Sequence, residues 1–221
     1  MKAVIFDLDG TLINSTIPFK KMKSKIIQHL ERKGVTPGLL NDGMLNFEIT
    51  GKAEEDYRRR GISEEEIRGT LRQVSQIMNR FELESLDNAT LVEDVPETLT
   101  HLKAKGFKLG IMTRSCREYA QRILDKFGLG EFFDAVVARD DVEAPKPNPK
   151  HAFHLLGLLA VPAEEALYVG DHWSDGECAR KAGLRFVLLR RNGQISQIAK
   201  DFSFKTVDHI RDIYKLVEAS I

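Results

Sequence analysis

Short, uninterrupted apolar segments recur along this chain, and each ends at a polar residue or a polar turn. The first is Ala3-Val4-Ile5-Phe6, which stops at Asp7. Three further segments and a weaker one have the same form, and they span 107–112, 166–169, 186–189 and 134–138. Apolar runs of this length are typical of strands that are buried on both faces, as in a parallel sheet.

Helical patterns fill the intervals between these segments. They are indicated at 94–106, 115–128 and 148–157, each with a capping residue at its start and a glycine near its end. Strands that alternate with helices predict an α/β fold, namely a Rossmann-like, mostly parallel sheet with helices on both faces. In such sheets ligands bind at the carboxyl ends of the strands.

The segment 15–87 breaks this alternation, because it shows helical periodicity and no strand pattern. Apolar residues recur at spacings of three and four over 19–30, and Ser63 opens a capping box before a second apolar stripe. A plain crossover between parallel strands needs far fewer residues. We therefore predict a catalytic core made of 1–14 and 88–221, with a small all-helical domain inserted after the first strand.

Two carboxylates follow the first strand directly, in Asp7-Leu8-Asp9-Gly10-Thr11-Leu12. At a spacing of i, i+2 they project to the same side, and Gly10 lets the chain turn away sharply. Like charges so close together are costly unless a cation is bound or one group holds a proton. The pair indicates a nucleophilic carboxylate beside an acid–base carboxyl. A turn that uses Asp and Gly as turn formers is the plainer interpretation.

A second acidic pair, Asp171 and Asp175, lies in Gly170-Asp171-His172-Trp173-Ser174-Asp175. Residues four apart share one face if a helix begins here. With Asp7 and Asp9, four carboxylates would converge at one edge of the sheet, and Mg²⁺ is the natural cation for such oxygen ligands. An acidic helix N-terminus would also explain Asp175, but it explains Asp171 less well.

Two further segments carry groups suited to a phosphate. Thr113-Arg114-Ser115 ends another strand, where a hydroxyl and backbone N–H groups can hold a phosphate oxygen. Lys146 lies among three prolines, which lower the entropy cost of holding that side chain in one place. A solvated loop lysine is the alternative. Arg114, beside Thr113, is a further candidate for contact with a substrate.

The set of DLDGTL, Thr113, Lys146-Pro147-Asn148-Pro149 and GDxxxD, in this order, resembles the motifs of the haloacid dehalogenase (HAD) superfamily of phosphotransferases. The resemblance covers essentially the whole chain. The helical insertion resembles the C1-type cap of the phosphoglycolate phosphatase and β-phosphoglucomutase branch. The resemblance implies a Rossmann-like catalytic core with a cap that closes over the leaving group.

The resemblance also implies a role for each motif residue. Asp7 would form an aspartyl-phosphate, and Asp9 would protonate the leaving oxygen and then activate water. Thr113 would hold a phosphoryl oxygen, and Lys146 would neutralise the charge between Asp7 and the phosphate. The ligands of Mg²⁺ would be the following groups: Asp7, the backbone carbonyl of Asp9, Asp171 and, through water or as a support for Asp171, Asp175.

The sequence therefore predicts a Mg²⁺-dependent phosphatase that hydrolyses a small phosphomonoester, such as phosphoglycolate or a sugar phosphate, through an aspartyl-phosphate. A sugar-phosphate mutase of the β-phosphoglucomutase type stays open as the alternative. Outside enzymes, a phospho-receiver domain or a binding domain with a vestigial site would use similar residues. The insertion and GDxxxD argue against a receiver.

Charge and cysteine content bound the class of partner. The chain has 33 basic and 33 acidic residues, which argues against a protein that coats nucleic acid or an anionic membrane. Two cysteines, Cys116 and Cys178, are too few for a disulfide framework. No window approaches the roughly 20 apolar residues that span a bilayer. We expect a soluble cytoplasmic protein whose partner is a small phosphorylated metabolite, and the oligomeric state is left open.

Overall fold

Strands and helices alternate along the chain, in a computed structural model that describes residues 1–190 and 205–218. The strands are β1 (Ala3–Phe6), β2 (Ile13–Asn14), β3 (Thr90–Leu91), β4 (Lys108–Met112), β5 (Ala135–Val137), β6 (Ala166–Gly170), β7 (Arg185–Leu189) and β8 (Lys205–Val207). The α-helices are α1 (Phe19–Arg32), α2 (Asn46–Arg59), α3 (Glu64–Glu84), α4 (Val95–Ala104), α5 (Arg117–Phe127), α6 (Pro149–Leu159), α7 (Trp173–Ala182) and α8 (Ile213–Glu218).

Six of the strands form one parallel sheet in the order β5-β4-β1-β6-β7-β8. With the short β2–β3 pair set aside, this is the strand order 3-2-1-4-5-6 of Rossmann sheets. The predicted α/β fold class is confirmed. Strand order reverses between β1 and β6, and ligands of such sheets bind at the carboxyl ends beside that reversal.

The register brings the ends of the central strands to one level. Phe6, the last residue of β1, is paired with Ile111 of β4 and with Val169 of β6. All four residues of β1 are fully buried, as its uniformly apolar sequence predicts. The residues that follow each strand therefore meet at the same edge of the sheet.

A large apolar cluster fixes α6 and α7 against the sheet. It includes Ile5 and Phe186 from the strands together with Leu155 and Leu159 of α6 and Ala179 of α7. Helix α6 extends to Leu159, beyond the predicted end at Gly157, because its buried face continues through Leu155, Leu156 and Leu159. Within the described residues, no helix has the length and apolar character needed to cross a membrane.

The chain divides into two compact units, Met1–Ser15 with Asn88–Ile221, and Thr16–Asp87. The prediction from the sequence placed the insertion at 15–87 and the core at 1–14 and 88–221. That core also includes 191–204 and 219–221, which lie outside the described residues.

A two-residue antiparallel ribbon, which the sequence analysis did not predict, joins the ends of the first unit at the insertion. Ile13 pairs with Leu91, and Asn14 pairs with Thr90. Strands of two residues are too short to produce an alternating pattern in the sequence. Because the chain leaves and re-enters the first unit at paired residues, a long insertion at this point does not interrupt the sheet.

The second unit consists of α1, α2 and α3. The predicted capping box at the start of α3 is present, since Glu66 N donates to Ser63 Oγ at 3.3 Å and Ser63 N donates to Glu66 Oε2 at 3.3 Å. The buried carboxylate of Asp56 accepts hydrogen bonds from the backbone and hydroxyl of Thr36 at 2.9 and 3.0 Å. These contacts hold the loop after α1 against α2.

Candidate active site

Two glycines make room for the carboxylates of the acidic segment after β6. Gly10 has φ +90°, and a Cβ added there would lie 2.2 Å from Asp171 Oδ2. A Cβ added at Gly170 would lie 2.5 Å from Asp175 Oδ2. Only glycine therefore fits at either position with these carboxylates in place, because the carboxylates occupy the space that a side chain would need.

Three carboxylates meet at this edge, and we call Asp7, Asp171 and Asp175 the carboxylate cluster. They offer oxygen atoms that all lie within 4.8 Å of one another. Burial raises the pKa of Asp7 to about 7, and burial with the negative charges of Asp7 and Asp175 raises the pKa of Asp171 to about 8. Ionising all three side chains at neutral pH therefore requires additional positive charge.

Lys146 supplies part of that charge from a fully enclosed position, with its side chain only 1% exposed. Its Nζ donates to Asp7 Oδ1 at 2.6 Å, to Asp175 Oδ1 at 2.8 Å and to the hydroxyl oxygen of Tyr168 at 2.7 Å. Burial alone would lower the pKa of Lys146, but the charges of Asp175 and Asp7 outweigh it and raise that pKa. The side chain is therefore a permanent ammonium.

Asp175 is the carboxylate that this ammonium keeps ionised. Burial alone would raise the pKa of Asp175, yet Lys146 and, to a smaller extent, Arg114 hold it below its usual value. Tyr168 donates to Asp175 Oδ1 at 2.8 Å, and the backbone N–H of His172 donates to Asp175 Oδ2 at 3.0 Å. Asp175 is thus fixed on both oxygens.

The carboxylate cluster fits a divalent cation. One ammonium beside three carboxylates leaves two negative charges, which is the charge that Mg²⁺ would balance. Carboxylate oxygens are also the ligands that Mg²⁺ prefers. Thr11 Oγ1 lies 3.5 Å from Asp171 Oδ1 and restrains that side chain from the β1 segment.

The peptide around Lys146 is held by a buried histidine. The backbone N–H of Lys146 donates to His151 Nδ1 at 3.1 Å, and His151 Nε2 lies 3.1 Å from the carbonyl oxygen of Val137. Because Nδ1 accepts, we place the proton on Nε2, which donates to Val137. Burial and the charge of Lys146 lower the pKa of His151 to about 3, so its ring is neutral. The His151 side chain is fully buried.

The carboxylate of Asp9 faces a different set of partners. Ser115 Oγ donates to Asp9 Oδ2 at 2.7 Å, and the hydroxyl of Tyr119 donates to Asp9 Oδ1 at 3.0 Å. Of the four acidic residues predicted for this edge, Asp7, Asp171 and Asp175 form the group that could hold a metal through side chains, and the Asp9 side chain is hydrogen-bonded by hydroxyl groups. Its backbone carbonyl stays the predicted metal ligand.

Thr113 and Arg114 follow β4 at the same edge of the sheet. Thr113 is buried, and its Oγ1 accepts a hydrogen bond from the backbone N–H of Ser115 at 3.0 Å. The Arg114 carbonyl accepts from Arg139 Nη1 at 2.8 Å, which fixes the backbone of this turn. Contact of either side chain with a substrate stays a prediction.

Two residues within the GDxxxD segment have structural roles. His172 is the N-cap of α7, and its Nδ1 accepts from the backbone N–H of Ser174 at 3.2 Å. The His172 side chain is half-buried. Trp173 packs against the apolar cluster, as expected for a lone tryptophan.

Sequence reasoning missed two tyrosines that complete the site, Tyr168 and Tyr119. Tyr168 stands in the otherwise aliphatic strand β6, where its hydroxyl must find a buried partner. That requirement was a usable signal. Tyr119 lies in the first turn of α5, shortly after Ser115, and the hydroxyls of both residues reach Asp9.

Known proteins with similar sequences match nearly the whole chain. A phosphoglycolate phosphatase of Aquifex aeolicus is 29% identical over 230 residues, which cover 100% of this chain and 99% of that protein. The pyrophosphatase PpaX of Halalkalibacterium halodurans is 32% identical over 219 residues, which cover 96% of each chain. The crystal structure of a HAD phosphatase from Thermococcus onnurineus is 26% identical and covers 98% of both chains, with a TM-score of 0.63.

The family model described as haloacid dehalogenase-like hydrolase matches residues 4–189. That range includes the carboxylate cluster, Lys146 and the Asp9 side chain with its two hydroxyl partners. The family resemblance of the four motifs is thereby confirmed, and the chain belongs to the haloacid dehalogenase-like hydrolases.

Proposed function

We propose that this phosphatase of the haloacid dehalogenase-like family hydrolyses a small phosphomonoester with Mg²⁺, using Asp7 as the nucleophile. The observation that supports the proposal most directly is the 2.6 Å contact between Asp7 Oδ1 and Lys146 Nζ within the carboxylate cluster. An enzyme accelerates phosphoryl transfer mainly by positioning the reacting groups and by neutralising the charge of the phosphoryl oxygens. A carboxylate beside a fixed ammonium and a cation site provides both.

In the first half of the reaction a bond forms between an Asp7 oxygen and phosphorus, and the bond from phosphorus to the leaving oxygen breaks. Asp9 gives its proton to that leaving oxygen. In the second half Asp9 takes a proton from water as the water oxygen attacks phosphorus, which releases phosphate and restores the Asp7 carboxylate. Lys146 holds the Asp7 carboxylate in position throughout.

The metal would be held by the carboxylates of Asp7 and Asp171 and by the backbone carbonyl of Asp9, and Asp175 would act through water or as a support for Asp171. When bound, Mg²⁺ would supply neutralisation of the charge on the phosphoryl oxygens. Thr113 would bind one of those oxygens from the protein side, and Lys146 would neutralise charge from its place beside Asp7. Arg114 would contact the remainder of the substrate.

The nucleophile is tested by Asp7→Asn, which keeps the shape of the side chain and removes its ability to attack phosphorus. Release of phosphate from 4-nitrophenyl phosphate with Mg²⁺ is expected to fall on the order of a thousandfold or more. Asp125→Asn, at an exposed position on α5, is the matched control and retains activity. Turnover of the Asp7→Asn protein equal to that of the control would contradict the proposal.

The substrate class is the finer part of the proposal. The A. aeolicus relative favours 2-phosphoglycolate, and the H. halodurans relative favours inorganic diphosphate as a second candidate. We propose an alkyl phosphomonoester, because a diphosphate leaves as a weakly basic phosphate that has little need of the Asp9 proton. Ratios of kcat/KM for 2-phosphoglycolate, sugar phosphates and diphosphate test this choice. Conversion of one sugar phosphate into another without phosphate release would indicate a mutase.

A further inference from the structure

Both oxygens of the Asp9 carboxylate are met by hydroxyl groups that come from the segment after β4. These are Ser115 at 2.7 Å and Tyr119 at 3.0 Å, and we call them the hydroxyl pair. Asp7, two residues earlier, is met by the ammonium of Lys146 instead. Two neighbouring carboxylates are thus given partners of different chemistry.

The hydroxyl pair stands on a well-anchored part of the fold. The backbone N–H of Ser115 donates to Thr113 Oγ1 at 3.0 Å, and its carbonyl accepts from the N–H of Arg139 at 3.0 Å. Tyr119 is fully buried in the first turn of α5. A carboxylate held from two such points cannot rotate without losing a hydrogen bond.

The position of Ser115 in the sequence also indicates a role other than helix capping. A serine just before a helix normally accepts from the helix N–H groups, and the sequence analysis began α5 at this residue for that reason. In the structure Cys116 is the N-cap and makes no side-chain cap hydrogen bond, while Arg117 N donates to Asp140 Oδ1 at 2.8 Å. The Ser115 hydroxyl is directed at Asp9 instead.

We propose that Ser115 and Tyr119 are positioning residues that hold the Asp9 carboxyl in line with the leaving oxygen. The inference rests on the proposed function, since it assumes that Asp9 transfers a proton. A hydroxyl can donate to a carboxylate and accept from a carboxylic acid, so the same contacts can persist when Asp9 gives up its proton and regains one. A cation in their place would hold only the ionised form.

Proton transfer to the leaving oxygen matters in proportion to the basicity of the leaving group. A 4-nitrophenolate leaves with little help, whereas an alkoxide must be protonated. Misplacing the acid should therefore reduce the turnover of alkyl phosphates and spare that of activated aryl phosphates. A purely structural effect would reduce the turnover of all substrates alike.

The test uses Ser115→Ala, Tyr119→Phe and the double variant with 4-nitrophenyl phosphate, phenyl phosphate and ethyl phosphate. We measure kcat/KM, which reports the steps up to release of the alcohol. For ethyl phosphate each single variant is expected to lose about 10-fold and the double variant about 100-fold. For 4-nitrophenyl phosphate all three are expected to stay within about threefold of the unaltered protein, because that leaving group needs little protonation.

Tyr214→Phe is the matched control for removal of a hydroxyl. Among the described residues the Tyr214 hydroxyl has no hydrogen-bond partner, and it lies outside the site. The kcat/KM values of this variant are expected to match those of the unaltered protein for all three substrates. The rise in melting temperature on addition of Mg²⁺ is measured for every variant, and it shows whether the carboxylate cluster is intact.

Asp9→Asn separates the two proposals. Its loss of kcat/KM is expected to increase with the basicity of the leaving group, from 4-nitrophenyl phosphate to ethyl phosphate, and to increase more strongly than that of the double variant. If Asp9→Asn shows this increase and the double variant loses equally on all substrates, the positioning role is wrong and the proposed function stands. If Asp9→Asn itself loses equally on all substrates, Asp9 is not the acid, and both the mechanism and this inference are overturned.

Discussion

Lys146 connects the groups on which the proposed chemistry depends, because its three N–H bonds are all used inside the protein. They go to Asp7, Asp175 and Tyr168 at distances between 2.6 and 2.8 Å. A buried ion pair of this kind adds little net stability over an apolar replacement of both partners, but loss of one partner is costly. Lys146 therefore serves stability and activity together.

The first prediction follows from that cost. Lys146→Met preserves much of the side-chain volume and leaves Asp7 and Asp175 buried without a cation. In EDTA the free energy of unfolding, measured with urea, is expected to fall by about 3 kcal/mol. Addition of Mg²⁺ should recover part of the loss, because a bound cation restores positive charge beside the two carboxylates.

The control for this prediction is Lys150→Met, since the Lys150 side chain is 68% exposed. It is expected to unfold at the urea concentration of the unaltered protein. Equal midpoints for Lys146→Met and Lys150→Met in EDTA would show that loss of the ammonium does not destabilise the folded protein, and the prediction would be wrong. Phosphatase activity of Lys146→Met is expected to fall at least 100-fold, because charge neutralisation at the transferring phosphoryl group is lost.

At the scale of elements, the strand ends were the predictable part of the site. Continuous apolar runs located β1, β4 and β6, and parallel pairing then required Asp7, Thr113 and Asp171 to meet at one edge. The same argument located the candidate metal ligands without any distance information.

Partners that depend on which side chain faces which were not predictable. Tyr119 meets Asp9, and Tyr168 meets Lys146, across long separations in the chain. Residue type shows that a buried hydroxyl needs a partner, but helix rotation and rotamer decide which one it finds. The contact between His151 and Lys146 was unpredictable for the same reason, since it joins the His151 ring to the backbone N–H of Lys146.

The turn after β1 gives the second prediction. Gly10→Ala introduces both a strained φ and a Cβ that would lie 2.2 Å from Asp171 Oδ2. Asp171 must then move out of the carboxylate cluster. We expect Mg²⁺ affinity, measured by calorimetry, to fall at least 10-fold, with a parallel loss of phosphatase activity.

Gly106→Ala separates these two effects, because Gly106 has φ +82° and no atom within 4 Å of an added Cβ. It is expected to lose about 1 kcal/mol of stability from backbone strain alone and to bind Mg²⁺ normally. If Gly10→Ala also binds Mg²⁺ normally, then the close approach of the two acidic segments is not required for the metal site.

At the scale of the whole molecule, a neutral chain concentrates negative charge at one edge of its sheet. The 33 basic and 33 acidic residues cancel. Locally, Lys146 is the only cation that is bonded directly to the three carboxylates of the cluster within 1–190 and 205–218. Stability of the metal-free protein should therefore depend on pH in a way that overall charge does not suggest.

The sign of that dependence follows from the pKa values of Asp7, about 7, and Asp171, about 8, against an ordinary value of 3.8. Between pH 4 and 8 the folded protein holds protons that the unfolded chain has already released. The free energy of unfolding without metal is therefore expected to fall as pH rises through this window. Above about pH 8 the contribution of these two carboxyl groups no longer changes with pH. Mg²⁺ binding displaces the same protons, so it becomes more favourable over the same window.

The third prediction is that the rise in melting temperature caused by a fixed Mg²⁺ concentration is larger at pH 8 than at pH 6. Calorimetric titration at pH 6.5 in buffers of different ionisation enthalpy should show proton release on binding. Asp171→Asn removes one of the two titrating groups, so it should bind Mg²⁺ weakly and release fewer protons. Binding to the unaltered protein with no proton release would mean that Asp7 and Asp171 are already ionised in the metal-free state, and the two carboxylates would then have to be stabilised by groups other than Lys146.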